Sequence, residues 1–166
     1  KSLVDNKMMA SNPFVPRIYT VIEVNKDTQE KVARYKMESL ISFDEMVSSI
    51  EKEHQEGVIE YFVNQMGFRP SDAAYYVSKY GLNFIERTLN ALAHGHIETS
   101  NRYLQQVFNL LKTIITESKR TNNPLDFDLH DQNFMFRNSS KGYQLVLTDP
   151  LYSSADLNAV RKKNFI

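Results

Sequence analysis

The chain has 166 residues, enough for one hydrophobic core but not comfortably for two. It carries 20 basic and 20 acidic residues, so its net charge of zero favours neither nucleic acid nor an anionic membrane. It lacks cysteine, which excludes disulfides and thiolate catalysis, and it has no secretory signal and no apolar run near the roughly 18 residues of a membrane span, so we expect a cytoplasmic protein.

The first part of the chain predicts a β-hairpin. Lys1 to Asn12 is polar and predicts a poorly packed lead-in, whereas the β-branched stretch Val15 to Val24 is typical of a strand. Residues 25–28 predict a turn. From Ala33 to Glu38 apolar and polar residues alternate, which indicates a half-buried second strand.

Helix signals dominate the middle of the chain. Ser42, followed by Glu45 three positions later, forms a capping box that opens a short helix. The clearest helix is predicted from Thr99 to Lys119, where apolar residues recur every three or four positions. Start and stop signals predict three helices between these two. The first runs from Val58 to Met66 and is closed by Gly67. The second starts at Pro70, with Ala73, Ala74 and Val77 facing inward, and the third runs from Asn83 to Ala93.

A second hairpin is predicted after the long helix. Phe134 to Arg137 and Tyr143 to Thr148 have the composition of strands, and the polar loop 138–142 joins them. Such a hairpin would bring Asn133 and Asp149, which lie at its two ends, close together. Two strands, several helices and a hairpin predict one α+β unit.

Three side chains around this hairpin have the chemistry of a phosphoryl-transfer site. Asp128 follows a helix stop and is expected on a loop, where its carboxylate can orient a substrate hydroxyl and accept its proton. Asn133 and Asp149 offer an amide and a carboxylate oxygen, which Mg²⁺ prefers and which nucleotide phosphates can complement. We expect no catalytic role for two other acidic residues. Asp126 is predicted at the junction of helix and loop, and Asp131 in a turn.

These residues resemble the protein-kinase-like superfamily. Asp128 to Asn133 is similar to its catalytic loop, Leu147 to Asp149 to its metal-binding segment, and Tyr35 to Leu40 looks like the strand that enters the hinge between the two lobes. The resemblance is closest to the early serine/threonine protein kinases of short-tailed, coliphage-type bacteriophages, on the residues Phe127-Asp128, His130, Asn133, Met135-Phe136 and Thr148-Asp149-Pro150.

The resemblance implies a fold and a function. Residues 41–166 would form a mainly helical kinase C-terminal lobe that carries the second hairpin, and residues 1–40 would form the end of the N-terminal lobe and the hinge. The activity implied is transfer of the γ-phosphate of ATP to serine or threonine hydroxyls of host proteins, in the host cytoplasm if the protein is viral. Nucleotide and host proteins would be its partners, whereas membrane and nucleic acid would not.

The resemblance also implies roles for single residues. Asp128 would be the catalytic acceptor, and His130 takes the place where many protein kinases carry a Lys that contacts the transferring phosphate. Asn133 and Asp149 would bind Mg²⁺. The adenine of ATP would be held at the hinge by three residues, the gatekeeper Met37 and the backbone of Glu38 and Leu40.

The chain departs from the family pattern in ways that keep alternatives open. Phe127 replaces the Arg that normally pairs with a phosphorylated activation loop, so we expect no switching by that route. A Gly-rich loop, a strand Lys and its Glu partner are not recognisable, so we expect an incomplete fragment of a longer kinase. The alternatives are a small-molecule phosphotransferase of the aminoglycoside or choline kinase type, which His130 favours, and a non-catalytic kinase-like protein that inhibits a host protein.

Overall fold

A computed structural model describes residues 11–24, 31–51, 54–140 and 142–153. They form an α+β arrangement, as predicted, in which helices occupy the middle of the chain and the strands make three two-stranded antiparallel sheets. The helices are α1 (Phe43–Ser48), α2 (Gln55–Met66), α3 (Pro70–Tyr80), α4 (Phe84–Ala93) and α5 (Arg102–Ser118). The paired strands are β1 (Ile18–Val24) with β2 (Lys31–Met37), β3 (Leu125–Phe127) with β6 (Leu151–Ser153), and β4 (Phe134–Ser139) with β5 (Gly142–Leu147).

The first hairpin forms, but its first strand starts later than predicted. Strand β1 begins at Ile18 rather than Val15. The Val15 N–H donates to the Asn12 carbonyl at 3.2 Å, and Pro16 has no N–H, so neither residue continues the ladder. The predicted turn at residues 25–28 lies outside the described residues. No helix among the described residues has both the length and the apolar character to cross a bilayer.

Side-chain caps set the starts of two helices. Ser42 Oγ accepts the Glu45 N–H at 3.1 Å while the Glu45 carboxylate accepts the Ser42 N–H at 2.7 Å, which confirms the predicted capping box. Helix α5 begins at Arg102, three residues later than predicted. The reason is Asn101, whose Oδ1 accepts the N–H of Tyr103 at 2.9 Å and so ends the preceding loop.

The corner between α2 and α3 depends on a glycine. Gly67 closes α2 as predicted, with a left-handed φ of 66°. Its carbonyl accepts the Ser100 N–H at 2.8 Å, which ties the corner to the loop before α5. Helix α3 then starts at Pro70, also as predicted, and Ala73 is buried. Ala74, which was predicted to face inward, is exposed because it lies on the outer side of α3.

We predict that Gly67→Ala lowers the free energy of unfolding by at least about 1–2 kcal/mol, the penalty for a left-handed Cβ. The new Cβ would lie 2.8 Å from both Asn101 N and Ser100 Oγ, so the contact adds to that penalty. Gly57→Ala is the matched control, because its Cβ would meet nothing within 4 Å inside α2. That change should stabilise the protein by up to about 1 kcal/mol. Urea unfolding of both variants measures the difference, and equal effects would contradict the prediction.

The hydrophobic core lies between the helices and one face of the β4–β5 hairpin. The Phe62 ring of α2 lies 5.3 Å from the Phe136 ring, and the Phe43 ring of α1 lies 6.0 Å from the Phe134 ring, measured between centroids. Phe134 and Phe136 are buried, whereas Met135 between them is half-buried. Strand β4 therefore presents its aromatic face to the helices and its other face away from this core.

Two segments from the first part of the chain bind the edges of this hairpin. Ile41 exchanges both backbone hydrogen bonds with Phe136, at 2.9 and 2.8 Å, so residues 38–41 run beside β4. At the other edge, the Leu147 N–H of β5 donates to the carbonyl of Phe14 at 2.9 Å, and the Phe14 side chain is fully buried.

Asn12 shows that the end of the predicted lead-in is well packed. Its side chain is only 4% exposed, and its amide donates to the Tyr103 carbonyl at 2.8 Å at the start of α5. Its Oδ1 also accepts the Phe14 N–H at 2.9 Å. The prediction of a loose segment was therefore wrong at residue 12, because a tertiary partner supplies the hydrogen bonds that the local sequence does not.

Candidate active site

The predicted loop of Asp128 lies between two strands. Asp128 follows β3 directly, and a single 3₁₀ turn, Asp131–Asn133, leads into β4. Asp131 is therefore in a turn, as predicted. Asp126 lies within β3 rather than at a junction of helix and loop, because it pairs with Tyr152 of β6. No local pattern predicts this strand, since its partner lies about 25 residues further along the chain.

A closed set of hydrogen bonds brings the three predicted acidic and amide residues together. Asn133 Nδ2 donates to the backbone carbonyl of Asp128 at 3.1 Å. The Asp149 N–H donates to the carbonyl of Asn133 at 3.3 Å, and the Asp128 N–H donates to the carbonyl of Pro150 at 2.9 Å. Asn133 is thus held by the backbone of Asp128, Asp149 by the backbone of Asn133, and Asp128 by the backbone of Pro150, the residue after Asp149. Residues that are 21 positions apart in sequence become neighbours in one small site.

His130 lies beside the Asp128 carboxylate. Its Nε2 is 3.3 Å from Asp128 Oδ1, and its Nδ1 accepts the Gln132 N–H at 3.2 Å. Because a neutral imidazole has one N–H, a ring that accepts at Nδ1 carries its proton at Nε2. Asn133 Nδ2 lies 3.0 Å from the same nitrogen, and it cannot donate there while Nε2 carries the proton. The imidazole is therefore a close neighbour of the Asp128 carboxylate, at 3.3 Å.

The donor atoms of the site fit a hard divalent cation. The Asn133 amide nitrogen donates to the Asp128 carbonyl, and no described group donates to its Oδ1. Asp149 is exposed, and its carboxylate has no ion pair among the described residues. In the same part of the chain no three His, Asp or Glu side chains form a complete metal cluster. Mg²⁺ in nucleotide sites takes most of its shell from phosphates and water, so two protein oxygens fit it.

Met37 ends β2, and Glu38 and Leu40 lie between β2 and Ile41, the residue that pairs with β4. Met37 is 47% exposed and Leu40 is half-buried. No contact joins Met37, Glu38 or Leu40 to Asp128 within the described ranges. Strand β4 begins directly after Asn133, and three residues later its Phe136 pairs with Ile41, the residue that follows Leu40. That step spans about 10 Å.

Glu38 has a structural partner that the sequence did not reveal. Its carboxylate binds Arg137 Nε at 2.6 Å and Nη2 at 2.5 Å, and it accepts the Arg17 N–H at 2.8 Å. Burial opposes ionisation of Glu38, but these hydrogen bonds and the Arg137 and Arg17 charges outweigh it, so its pKa lies below its ordinary value. The Glu38 carboxylate is thus held by Arg137 and by the Arg17 N–H, so it has a structural role within the protein.

Arg137 and Asn90 are the residues that sequence reasoning missed. Arg137 also donates to the carbonyls of Pro13 at 3.0 Å and Val15 at 3.2 Å, so it joins three segments at the hairpin edge. Asn90 of α4 donates to the carbonyl of Leu129, next to Asp128, at 2.9 Å. The sequence offers one signal for each residue. Arg137 is a single charged residue in a predicted strand, and Asn90 is a polar residue among the apolar residues of a predicted helix.

The residue before Asp128 packs into an aromatic group. The Phe127 ring lies 5.9 Å from the Phe108 ring of α5 and 6.2 Å from the His94 ring. A half-buried ring therefore occupies the position where the resemblance expects an Arg. A surface depression of about 470 Å³ lies nearby between the end of α4 and α5, and Phe108 is part of its lining. None of the acidic candidates lines it.

Comparison of the chain with protein-family models, with curated proteins and with solved structures finds no match. What the site can do therefore follows from its own geometry. That geometry combines one carboxylate beside a histidine, one amide oxygen with no described donor and one exposed carboxylate. They lie on a loop and a hairpin that hydrogen-bond to each other.

Proposed function

We propose that this chain is part of an ATP-dependent, Mg²⁺-requiring serine/threonine protein kinase of the phage type. The observation that carries the proposal is the closed set of hydrogen bonds among Asp128, Asn133 and the Asp149-Pro150 segment. It keeps a candidate proton acceptor and two candidate metal ligands adjacent before any substrate binds. Such positioning is the main contribution of a protein to phosphoryl transfer.

In this proposal each side chain has one task. The Asp128 carboxylate accepts a hydrogen bond from the substrate hydroxyl, orients its oxygen toward the γ-phosphate, and takes the proton late in the transfer. The His130 imidazole lies beside that carboxylate, with Nε2 3.3 Å from Oδ1. Asn133 and Asp149 hold Mg²⁺, which when bound neutralises charge on the phosphates.

The hinge end of the proposed site would hold the base. The backbone of Glu38 and Leu40 leads into Ile41, which pairs with Phe136 of β4, and β4 leads directly back to Asn133. The Glu38 N–H is already bound to the Arg17 carbonyl at 3.0 Å. The Glu38 carbonyl and the Leu40 backbone are therefore the groups that we assign to adenine. The acceptor would be a host protein in the cytoplasm.

Titration of the intact protein with ATP in the presence and absence of Mg²⁺ tests this proposal. We predict that Asp149→Asn weakens Mg²⁺-dependent ATP binding by at least about tenfold. Even the loss of a residue that only hydrogen-bonds to a metal ligand typically lowers metal affinity by that factor. Asp131→Asn is the matched control, because this exposed carboxylate lies 3.8 Å from His130 Nδ1 and outside the proposed metal site. Equal binding by both variants would refute the metal role, and no ATP binding by the unmodified protein would favour a non-catalytic inhibitor of a host protein.

The contact between His130 and Asp128 favours one second candidate, a small-molecule phosphotransferase of the aminoglycoside or choline kinase type. Those enzymes also carry His at this place in the loop. A panel of protein and amino-alcohol acceptors, assayed with the same labelled ATP, separates the two activities. Label transferred to amino alcohols but not to proteins would support the second candidate.

A further inference from the structure

Asn90 connects the helical layer to the loop that carries Asp128. Its side-chain amide donates one hydrogen bond to the Leu129 carbonyl at 2.9 Å and another to the Glu86 carbonyl, one turn earlier in α4, at 3.0 Å. Both amide hydrogens are therefore used. The bond to Glu86 fixes the side-chain rotamer, so the second hydrogen points at one place in the loop.

Leu129 is the residue through which this contact acts. It separates Asp128 from His130 in sequence, and its own side chain is only 3% exposed in the core. Its side chain and its carbonyl are thus both fixed from the helical side. The Asp128 N–H is fixed from the other side by the carbonyl of Pro150 at 2.9 Å. Rotation of the backbone between these two points would change the 3.3 Å separation of the Asp128 and His130 side chains.

The local sequence of α4 gives no reason for an asparagine at this position. Asn is a weak helix former, and its neighbours Leu89, Ala91 and Leu92 are buried. A Ser would supply one donor and an ionised Asp none, so neither could replace both hydrogen bonds. The contact with the loop accounts for a residue that helix propensity disfavours.

We propose that Asn90 is a positioning residue that holds the Leu129 carbonyl and thereby sets the geometry of Asp128 and His130. Its effect on catalysis rests on the proposed kinase function, whereas its effect on the order of the loop does not. These two consequences can be measured separately.

The first measurement is amide hydrogen exchange in Asn90→Ala and Asn90→Asp, with Asn64→Ala as the matched control. Asn64 is exposed on α2, so its loss leaves the loop untouched. We expect the Asp128 and Asn133 amides, which are bonded to Pro150 and His130, to exchange about tenfold faster in both Asn90 variants, as for loss of one hydrogen bond. The amide of Leu111, buried in α5, should be unchanged. Unchanged loop exchange, or an equal rise at Leu111, would overturn the proposal.

The second measurement separates positioning from binding. In the intact protein we expect Asn90→Ala to lower kcat about 10- to 100-fold, the range for small misplacements of reacting groups. The KM for ATP should stay within about twofold, because neither the hinge residues nor the side chains of Asn133 and Asp149 contact Asn90. A raised KM with unchanged kcat would overturn the positioning role. If the unmodified protein transfers no phosphate, the kinase proposal fails, and hydrogen exchange alone decides the role of Asn90.

Discussion

Asp128→Asn is expected to lower phosphate transfer to a protein acceptor by about 10²–10⁴-fold, the usual contribution of a positioned proton acceptor. The amide keeps the size of the carboxylate but cannot take the hydroxyl proton. The fold should persist, because the Asp128 side chain is 32% exposed and its one described ionic contact is His130. Initial rates with labelled ATP, together with the urea midpoint of the variant, measure both effects.

Two neighbouring carboxylates provide the controls for this experiment. Asp126 lies in β3, where its Oδ1 accepts the Phe127 N–H, and Asp131 is an exposed residue of the 3₁₀ turn. We expect Asp126→Asn and Asp131→Asn to keep rates within a few-fold of the unmodified protein, since neither side chain belongs to the bonded site. Full activity in Asp128→Asn, or an equal loss in Asp131→Asn, would show that Asp128 is not the acceptor.

Removing the Glu38 carboxylate is expected to have the largest effect on stability. The Glu38 and Arg137 side chains are only 10% and 11% exposed, and they share two short hydrogen bonds. Glu38→Gln leaves the Arg137 charge buried without a counter-charge, which typically costs about 3–5 kcal/mol. Replacing both residues, as in Glu38→Leu with Arg137→Met, should recover part of this loss because no charge is then left buried. Urea unfolding of the single and double variants measures both values.

The Arg69–Asp72 pair is the exposed counterpart of this contact. The Nε of Arg69 lies 2.9 Å from the Asp72 carboxylate, but the Arg69 side chain is 68% exposed. Arg69→Met should therefore cost at most about 1 kcal/mol, as is usual for surface ion pairs. A loss as large as that of Glu38→Gln would mean that burial does not explain the difference between the two pairs.

The same pair predicts how stability depends on pH. The pKa of Glu38 in the folded protein lies below its ordinary value of 4.5, so the folded state releases the proton more readily than the unfolded chain. The stability that Glu38 contributes is therefore complete above its unfolded pKa and is lost as the pH falls through the lower, folded pKa. The difference in stability between the unmodified protein and Glu38→Gln should shrink with acidification below about pH 4.5.

Local signals in the sequence predicted the helices well because caps and glycines act over a few residues. The Ser42 capping box and the Gly67 terminus both form where they were predicted. The hairpin after Asn133 likewise follows from apolar strands around a polar loop. The pairing of β3 with β6 was not predicted, because three-residue strands carry no measurable alternation and depend on a distant partner.

In the candidate site, too, features set by the local sequence were predicted and contacts between distant segments were not. The prediction that Asn133 and Asp149 would be close needed only a hairpin with the two residues at its ends. The bonds from Asn133 to Asp128 and from Asp128 to Pro150 depend on the path of the loop, and no spacing rule contains that information. Glu38 and Arg137 are 99 residues apart in sequence, so neither the charged residue that follows β2 nor the one within β4 indicates its partner.

The buried segment around Phe14 has a consequence for synthesis of the protein on the ribosome. Phe14 is held by Leu147 of β5, and the carbonyl of Pro13 is held by Arg137, a contact across 124 residues. Contacts of such separation form late, since the chain must close a long loop before they offset its entropy. The nascent segment around Phe14 therefore has no docking site until the final hairpin emerges. In this period the Phe14 side chain, which is fully buried in the folded protein, stays in contact with water.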